Sequence, residues 1–188
     1  MGTWVSMIAS AVIGSLVLLW FNDYNNDFRR DSYLNMMEDI SYNNLEEVTN
    51  VIEYDFSRVG FGMNDPSAVA VLQADSSNFE FELDSNGDGV IETMQYYLSD
   101  TSDASDTPNP RDRILYRVDN GGTPERLSSG LTEFQMTYYG ADGDTTSDKA
   151  AMRSFGVRIV MENEVVYDEQ TPIMAWESRI TPRALIMY

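Results

Sequence analysis

Residues Thr3–Phe21 read TWVSMIASAVIGSLVLLWF, an uncharged apolar run, and the helical pattern does not stop at its end. Apolar positions at helical spacing continue through Phe28, Leu34, Met37, Ile40, Leu45, Val48, Ile52, Phe56 and Val59, and neither Pro nor Gly interrupts Phe21 to Val59. A single helix of that extent is about 85 Å long at ~1.5 Å per residue. A small soluble domain cannot bury such a rod. Its first third must find lipid or other subunits.

Three readings compete for this first segment. A cleaved signal peptide needs a basic region before the apolar core and a small-residue cleavage site after it. Here Trp20-Phe21-Asn22-Asp23 follow the run, and the only small-x-small triplet, Ala9-Ser10-Ala11, lies inside it. A buried core helix of a soluble protein is usually shorter than this. A spanning helix fits best: a rise of ~28 Å matches the bilayer core, with Trp4 and Trp20 at its two interfaces. Arg29 and Arg30 follow the span but stand among Asp23, Asp27 and Asp31, so the preferred orientation keeps the N-terminus in the cytoplasm and the remainder outside.

Downstream the helix turns amphipathic. Met37, Ile40, Leu45, Val48, Ile52, Phe56 and Val59 recur at steps of three to five, while Glu38, Asp39, Asn43, Glu46, Glu47, Asn50 and Glu53 fill the other face. The stripe is expected to pack on the protein's own sheet, and the helix to end near Gly60-Phe61-Gly62, where glycine takes a left-handed cap. Beyond Gly62 the period changes from 3.6 to 2. Strands are expected at 68–73, 78–83, 93–98, 113–118, 131–139, 154–161 and 173–180, with Phe79/Phe81/Leu83, Met94/Tyr96/Leu98, Ile114/Tyr116/Val118 and Phe134/Met136/Tyr138 each on one face. Residues 99–112 have the composition of an exposed loop, and Ala184–Tyr188 is apolar enough to add an edge strand. The expected fold class is therefore α+β, with a helical region at 1–62 and an antiparallel sheet head at 63–188.

Composition narrows the chemistry. Thirty-one acidic against twelve basic residues give a formal charge of −19, which repels phosphate backbones, so no nucleic-acid partner is expected. Without Cys there is no disulfide or thiol chemistry. Without His the commonest general base and the usual nitrogen ligand for zinc, copper or iron are missing. Lys149 is the sole lysine and stands in an acidic loop, and no G-x-x-x-x-G-K motif occurs. No enzyme site emerges.

The arrangement of a long helix, first membrane-spanning and then amphipathic, followed by an antiparallel sheet resembles a type IV pilin or a type II secretion pseudopilin. With Met1 taken as the first mature residue, Met7–Leu16 (MIASAVIGSL) falls in the register of the apolar run that opens mature pilins. The remainder is similar to minor pilins of the PilW kind and to J-type pseudopilins. The matching segments are Ile52–Gly62, the turn at Asp84–Glu92, Leu115-Tyr116-Arg117, Leu127–Phe134 and Pro182-Arg183. The resemblance implies an assembly helix built on Met1, Val5, Met7, Ile8, Val12, Ile13, Gly14, Leu16 and Leu19. It also implies partners that are copies of this chain or other pilin-like subunits. Two departures stand out. No basic leader ending in Gly precedes Met1, and Val5 occupies a position where most pilins carry Glu. In the family that carboxylate offsets a neighbour's α-amine, and its loss is associated with tip subunits; a core that manages the amine otherwise remains the alternative.

One motif invites a ligand. Asp84-Ser85-Asn86-Gly87-Asp88-Gly89-Val90-Ile91-Glu92 has the form D-x-N-x-D-G-x-I-E, in which Asp84, Asn86, Asp88, the Val90 carbonyl and Glu92 could wrap one Ca2+ ion. Position 12 of an EF-hand would be Gln95, so Glu92 would have to supply the closing carboxylate. The competing reading is a plain acidic hairpin, because Asn-Gly and Asp-Gly form turns without metal. The expectation from sequence is a filament subunit, held in the inner membrane before assembly and then found in a cell-surface filament or periplasmic pseudopilus. The alternative is a single-pass anchored, calcium-binding interaction domain that does not polymerise.

Overall fold

Helix α1 runs unbroken from Gly2 to Phe56. The structure, a computed structural model, describes residues 2–65, 68–107, 109–162 and 173–186. The chain divides between Ile40 and Ser41 into two compact units, so α1 contributes to both. In the second unit the buried helix positions are Ser41, Leu45, Val48, Thr49, Ile52, Asp55 and Phe56, the three-and-four spacing of one helical face. Of the apolar stripe, Leu45, Val48, Ile52, Phe56 and Val59 are buried, whereas Ile40 is exposed.

That face covers a seven-stranded sheet in the order β1-β2-β3-β4-β5-β6-β7, each strand antiparallel to its neighbour. The strands are β1 (Val71–Ala74), β2 (Asn78–Leu83), β3 (Glu92–Leu98), β4 (Arg113–Asp119), β5 (Glu125–Tyr139), β6 (Ser154–Glu162) and β7 (Ile173–Ile180). The fold is α+β. Phe56 is the helix's principal knob: its ring meets Phe79, Phe81 and Tyr96 edge-on at centroid distances of 5.0, 5.6 and 5.0 Å. Edge-to-face pairs of this kind add about 0.5–1.5 kcal/mol each beyond area burial. Phe79 carries the packing onward to Phe155 at 4.9 Å.

Past Phe56 the chain turns tightly. Arg58 N–H donates to the Asp55 carbonyl and Phe61 N–H to the Arg58 carbonyl, and Gly60 takes φ +77°. Gly62 is required twice over. Its φ is +79°, and a Cβ there would lie 2.4 Å from the Asp84 Cβ, because Asp84 N–H donates to the Phe61 carbonyl and pulls the two segments together.

Four expectations need correction. The first strand begins at Val71 rather than Ala68 and carries an irregularity between Val71 and Gln73. β5 begins at Glu125, six residues before the expected Leu131, because the chain stays paired through a register shift opposite Arg113–Leu115, with Gly130 at φ +84°. The loop at 99–112 is not wholly exposed. Ala104, Asn109 and Asp112 are buried, and the short 3-10 helix Thr101–Ala104 lies against β4. The tail forms a short 3-10 turn, Arg183–Leu185, instead of an edge strand; residues 187–188 of that expectation lie outside the described residues. On β4 the face toward α1 belongs to Leu115 and Arg117. Tyr116 instead stacks on Tyr97, on the other side of the sheet.

Candidate functional site

The apolar opening of α1 is the first candidate. Twelve large apolar side chains between Trp4 and Phe21 are exposed, at 53–73% of their full area, and none of the apolar window is buried. Of the sequence-predicted assembly residues, Val5, Met7, Ile8, Val12, Ile13, Leu16 and Leu19 all stand exposed on this helix, and a Cβ at Gly14 would meet nothing within 4 Å. Met1 lies outside the described residues. The segment is long and apolar enough to cross a membrane, which is compatible with anchoring there.

Its polar side chains are satisfied from within. The hydroxyls of Ser6, Ser10 and Ser15 donate to the carbonyls of Thr3, Ser6 and Ala11, each at 2.8 Å, and the Asn25 amide donates to the Phe21 carbonyl at 2.8 Å. A hydroxyl bonded back one turn leaves no unmet donor facing hydrocarbon. Trp20 and Tyr24 stack at 6.1 Å near the end of the run, as amphipathic rings do at an interface.

The second candidate is the loop Asp84–Glu92. Asp84 is buried, and its carboxylate accepts from the N–H groups of Gly87 (2.7 Å), Asp88 (3.2 Å) and Gly89 (2.9 Å). The Asn86 side-chain oxygen accepts from Asp88 N–H, and its amide donates to the Asp88 carboxylate. Asp88 in turn accepts from Val90 N–H, and Glu92 accepts from Ser85 N–H at 2.8 Å. These side chains do converge on one loop, but their oxygens face N–H donors. A cation would have to displace those bonds, so in this arrangement the donor set does not fit Ca2+ as it stands.

Two groups that sequence reasoning did not single out tie α1 to the sheet. Asp55, buried at the end of the helix, accepts from Arg117 Nε at 2.8 Å and from the Tyr96 hydroxyl, and Arg117 Nε also lies 3.2 Å from that hydroxyl. Burial, then the neighbouring Asp55 carboxylate, pushes the Tyr96 phenol well above its ordinary range. Burial disfavours the Arg117 charge, but its hydrogen bond to Asp55 and its neighbours outweigh that and hold it charged. Arg58 is the second tie. Its guanidinium donates to the carbonyls of Asp84 (2.9 Å) and Ser85 (2.7 Å) and to the Tyr54 hydroxyl (3.1 Å), and it lies 5.0 Å from the Tyr54 ring centre and 5.5 Å from that of Phe61. A signal was present for Asp55: it stands three residues after Ile52, on the apolar stripe, where a carboxylate needs a partner. Comparison with protein-family models, with curated proteins and with solved structures gave no match for this chain.

Proposed function

We propose that this protein is a structural subunit of a type IV pilus-like filament or pseudopilus, waiting in the inner membrane and then assembling through its apolar helix with the acidic head outside. The observation that supports this reading is the exposed apolar opening of α1, continuous with a half-helix that packs on the head's own sheet. Covering twelve half-exposed large apolar side chains is worth on the order of 15–20 kcal/mol. That exceeds the 5–15 kcal/mol by which a domain is ordinarily stable, so the need for cover dominates the helix's behaviour. A helix apolar on every side suits lipid or a bundle of like helices equally. A two-stage life in membrane and then filament uses both.

Val5 supplies no carboxylate to a neighbour's amine, which agrees with a subunit that has nothing above it or with a core that neutralises the amine elsewhere. The test is incorporation in cells. Ile13→Asp places a charge within the apolar run and should remove the protein from sheared surface filaments, whereas Val5→Glu should leave incorporation unchanged or raise it. Filaments unaltered by Ile13→Asp would refute the assembly helix. A protein that stays in the membrane fraction and never enters sheared material would favour the anchored, non-polymerising alternative.

A further inference from the structure

A cavity of about 400 Å³ opens beside the end of α1, lined by Ser57, Arg58, Phe61, Thr181, Arg183 and Ala184. Two guanidiniums therefore share one concave site in a chain of charge −19. Elsewhere arginines are met by carboxylates: Arg111 by Glu162, Arg117 by Asp55, Arg126 by Asp106 and Arg158 by Glu133. Arg58 and Arg183 form no such ion pair among the described residues. Arg58 is held by neutral oxygens only, the carbonyls of Asp84 and Ser85 and the Tyr54 hydroxyl, and is braced by the Tyr54 and Phe61 rings. Its conformational freedom is spent before any ligand arrives. Arg183 is exposed, at the first position of the short 3-10 turn, and is joined at the rim by the exposed Thr181.

We propose that the Arg58–Arg183 cavity is a docking site for exposed carboxylates on a second copy of this chain. A fixed guanidinium fork beside a mobile one suits the planar, bidentate carboxylate. The same net charge that leaves these two arginines without internal carboxylates guarantees that any neighbouring copy presents them, on loops such as Asp100–Asp106, where Asp100 and Asp103 are exposed. An anionic lipid surface is a poorer occupant, because the head's overall charge repels it. The contact rests on the assembly reading for its occupant. It adds head-to-head specificity to an association that the apolar helix drives.

The experiment is sedimentation velocity on the full chain in nonionic detergent micelles. It compares wild type with Arg183→Glu, Arg183→Lys and Ile13→Asp, at about 50 mM and about 1 M salt. Arg183 makes no contact that folding needs, so its variants report on docking. Arg183→Glu should weaken self-association about five-fold at low salt, with Arg183→Lys close to wild type and the difference gone at high salt. If Ile13→Asp abolishes association while Arg183→Glu leaves it unchanged, the cavity is not a docking site and the assembly reading survives. A wild type that is monomeric under every condition overturns both. Inorganic phosphate is the control ligand. If it raises the melting temperature of wild type but not of Arg183→Glu, while association is the same in both, the cavity takes a small anion and the second copy is excluded.

Discussion

Removing the Asp55 carboxylate should loosen α1 from the sheet more than any other single polar change. Asp55→Ala leaves the Tyr96 hydroxyl and the Arg117 guanidinium facing each other in a largely buried site, with Glu125 at 3.8 Å as the remaining carboxylate near Arg117. Breaking one side of a buried pair costs about 3–5 kcal/mol, since the other charge stays behind. Tyr96→Phe removes one donor and leaves Asp55 its bond from Arg117, so it should cost about 1.5–3 kcal/mol, the range for hydrogen bonds to charged groups. The double variant should then cost less than the sum, with a coupling of about 1.5–3 kcal/mol, because the two groups spend the same interaction. The assay is equilibrium urea unfolding of the full chain in nonionic detergent, followed by near-UV circular dichroism. An Asp55→Ala cost below about 1 kcal/mol, or simple additivity in the double variant, would refute the reasoning.

Three further outcomes follow from the same geometry. Tyr96 and Tyr138 are both held protonated, chiefly by burial and secondly by Asp55 and Asp75 respectively, so their folded pKa values lie above the unfolded value of ~10. Their contribution is complete below pH ~10 and lost as pH rises beyond it, by up to about 1.4 kcal/mol per pH unit for each, and Tyr96→Phe should remove one proton's share of that slope. Gly62→Ala should cost about 2–4 kcal/mol, because it combines a left-handed backbone with a collision at Asp84, whereas Gly87→Ala, with open space around it, should cost only about 1–2. Asp84→Asn should cost about 1–3 kcal/mol by giving up N–H acceptors in a buried turn, and added calcium should leave the melting temperature of wild type unchanged. A saturable rise with calcium that Asp84→Asn removes would restore the cation site.

Much of the head was legible because its apolar residues alternate without interruption. Phe79/Phe81/Leu83 places β2 to the residue, and β7 likewise matches its expected bounds. The extension of β5 was hidden because Arg126, Ser128, Ser129 and Gly130 carry no alternation; pairing with β4 holds them in the sheet. Polar composition suggested an exposed loop at 99–112, yet Asn109 is buried against Glu162, with its amide 3.1 Å from that carboxylate, and Ala104 is buried beneath it. Burial of that kind depends on tertiary partners distant in sequence, which a local pattern cannot reveal. On β4 both faces are occupied, so Ile114/Tyr116/Val118 and Leu115/Arg117 gave two plausible alternations, and only the pairing of Tyr96 with Arg117 decides which faces the helix. The loop Asp84–Glu92 was read correctly as a convergence of oxygens; which donors those oxygens would meet is a matter of backbone geometry.

The central claim is that residues Gly2–Phe21 need lipid or neighbouring chains to cover them. Sedimentation of the intact chain on removal of detergent, beside its recovery from liposomes floated on a density gradient, tests it most directly. The account predicts association or precipitation in plain buffer and co-flotation with the liposomes. A stable, monodisperse monomer in plain buffer that stays at the bottom of the gradient would contradict it.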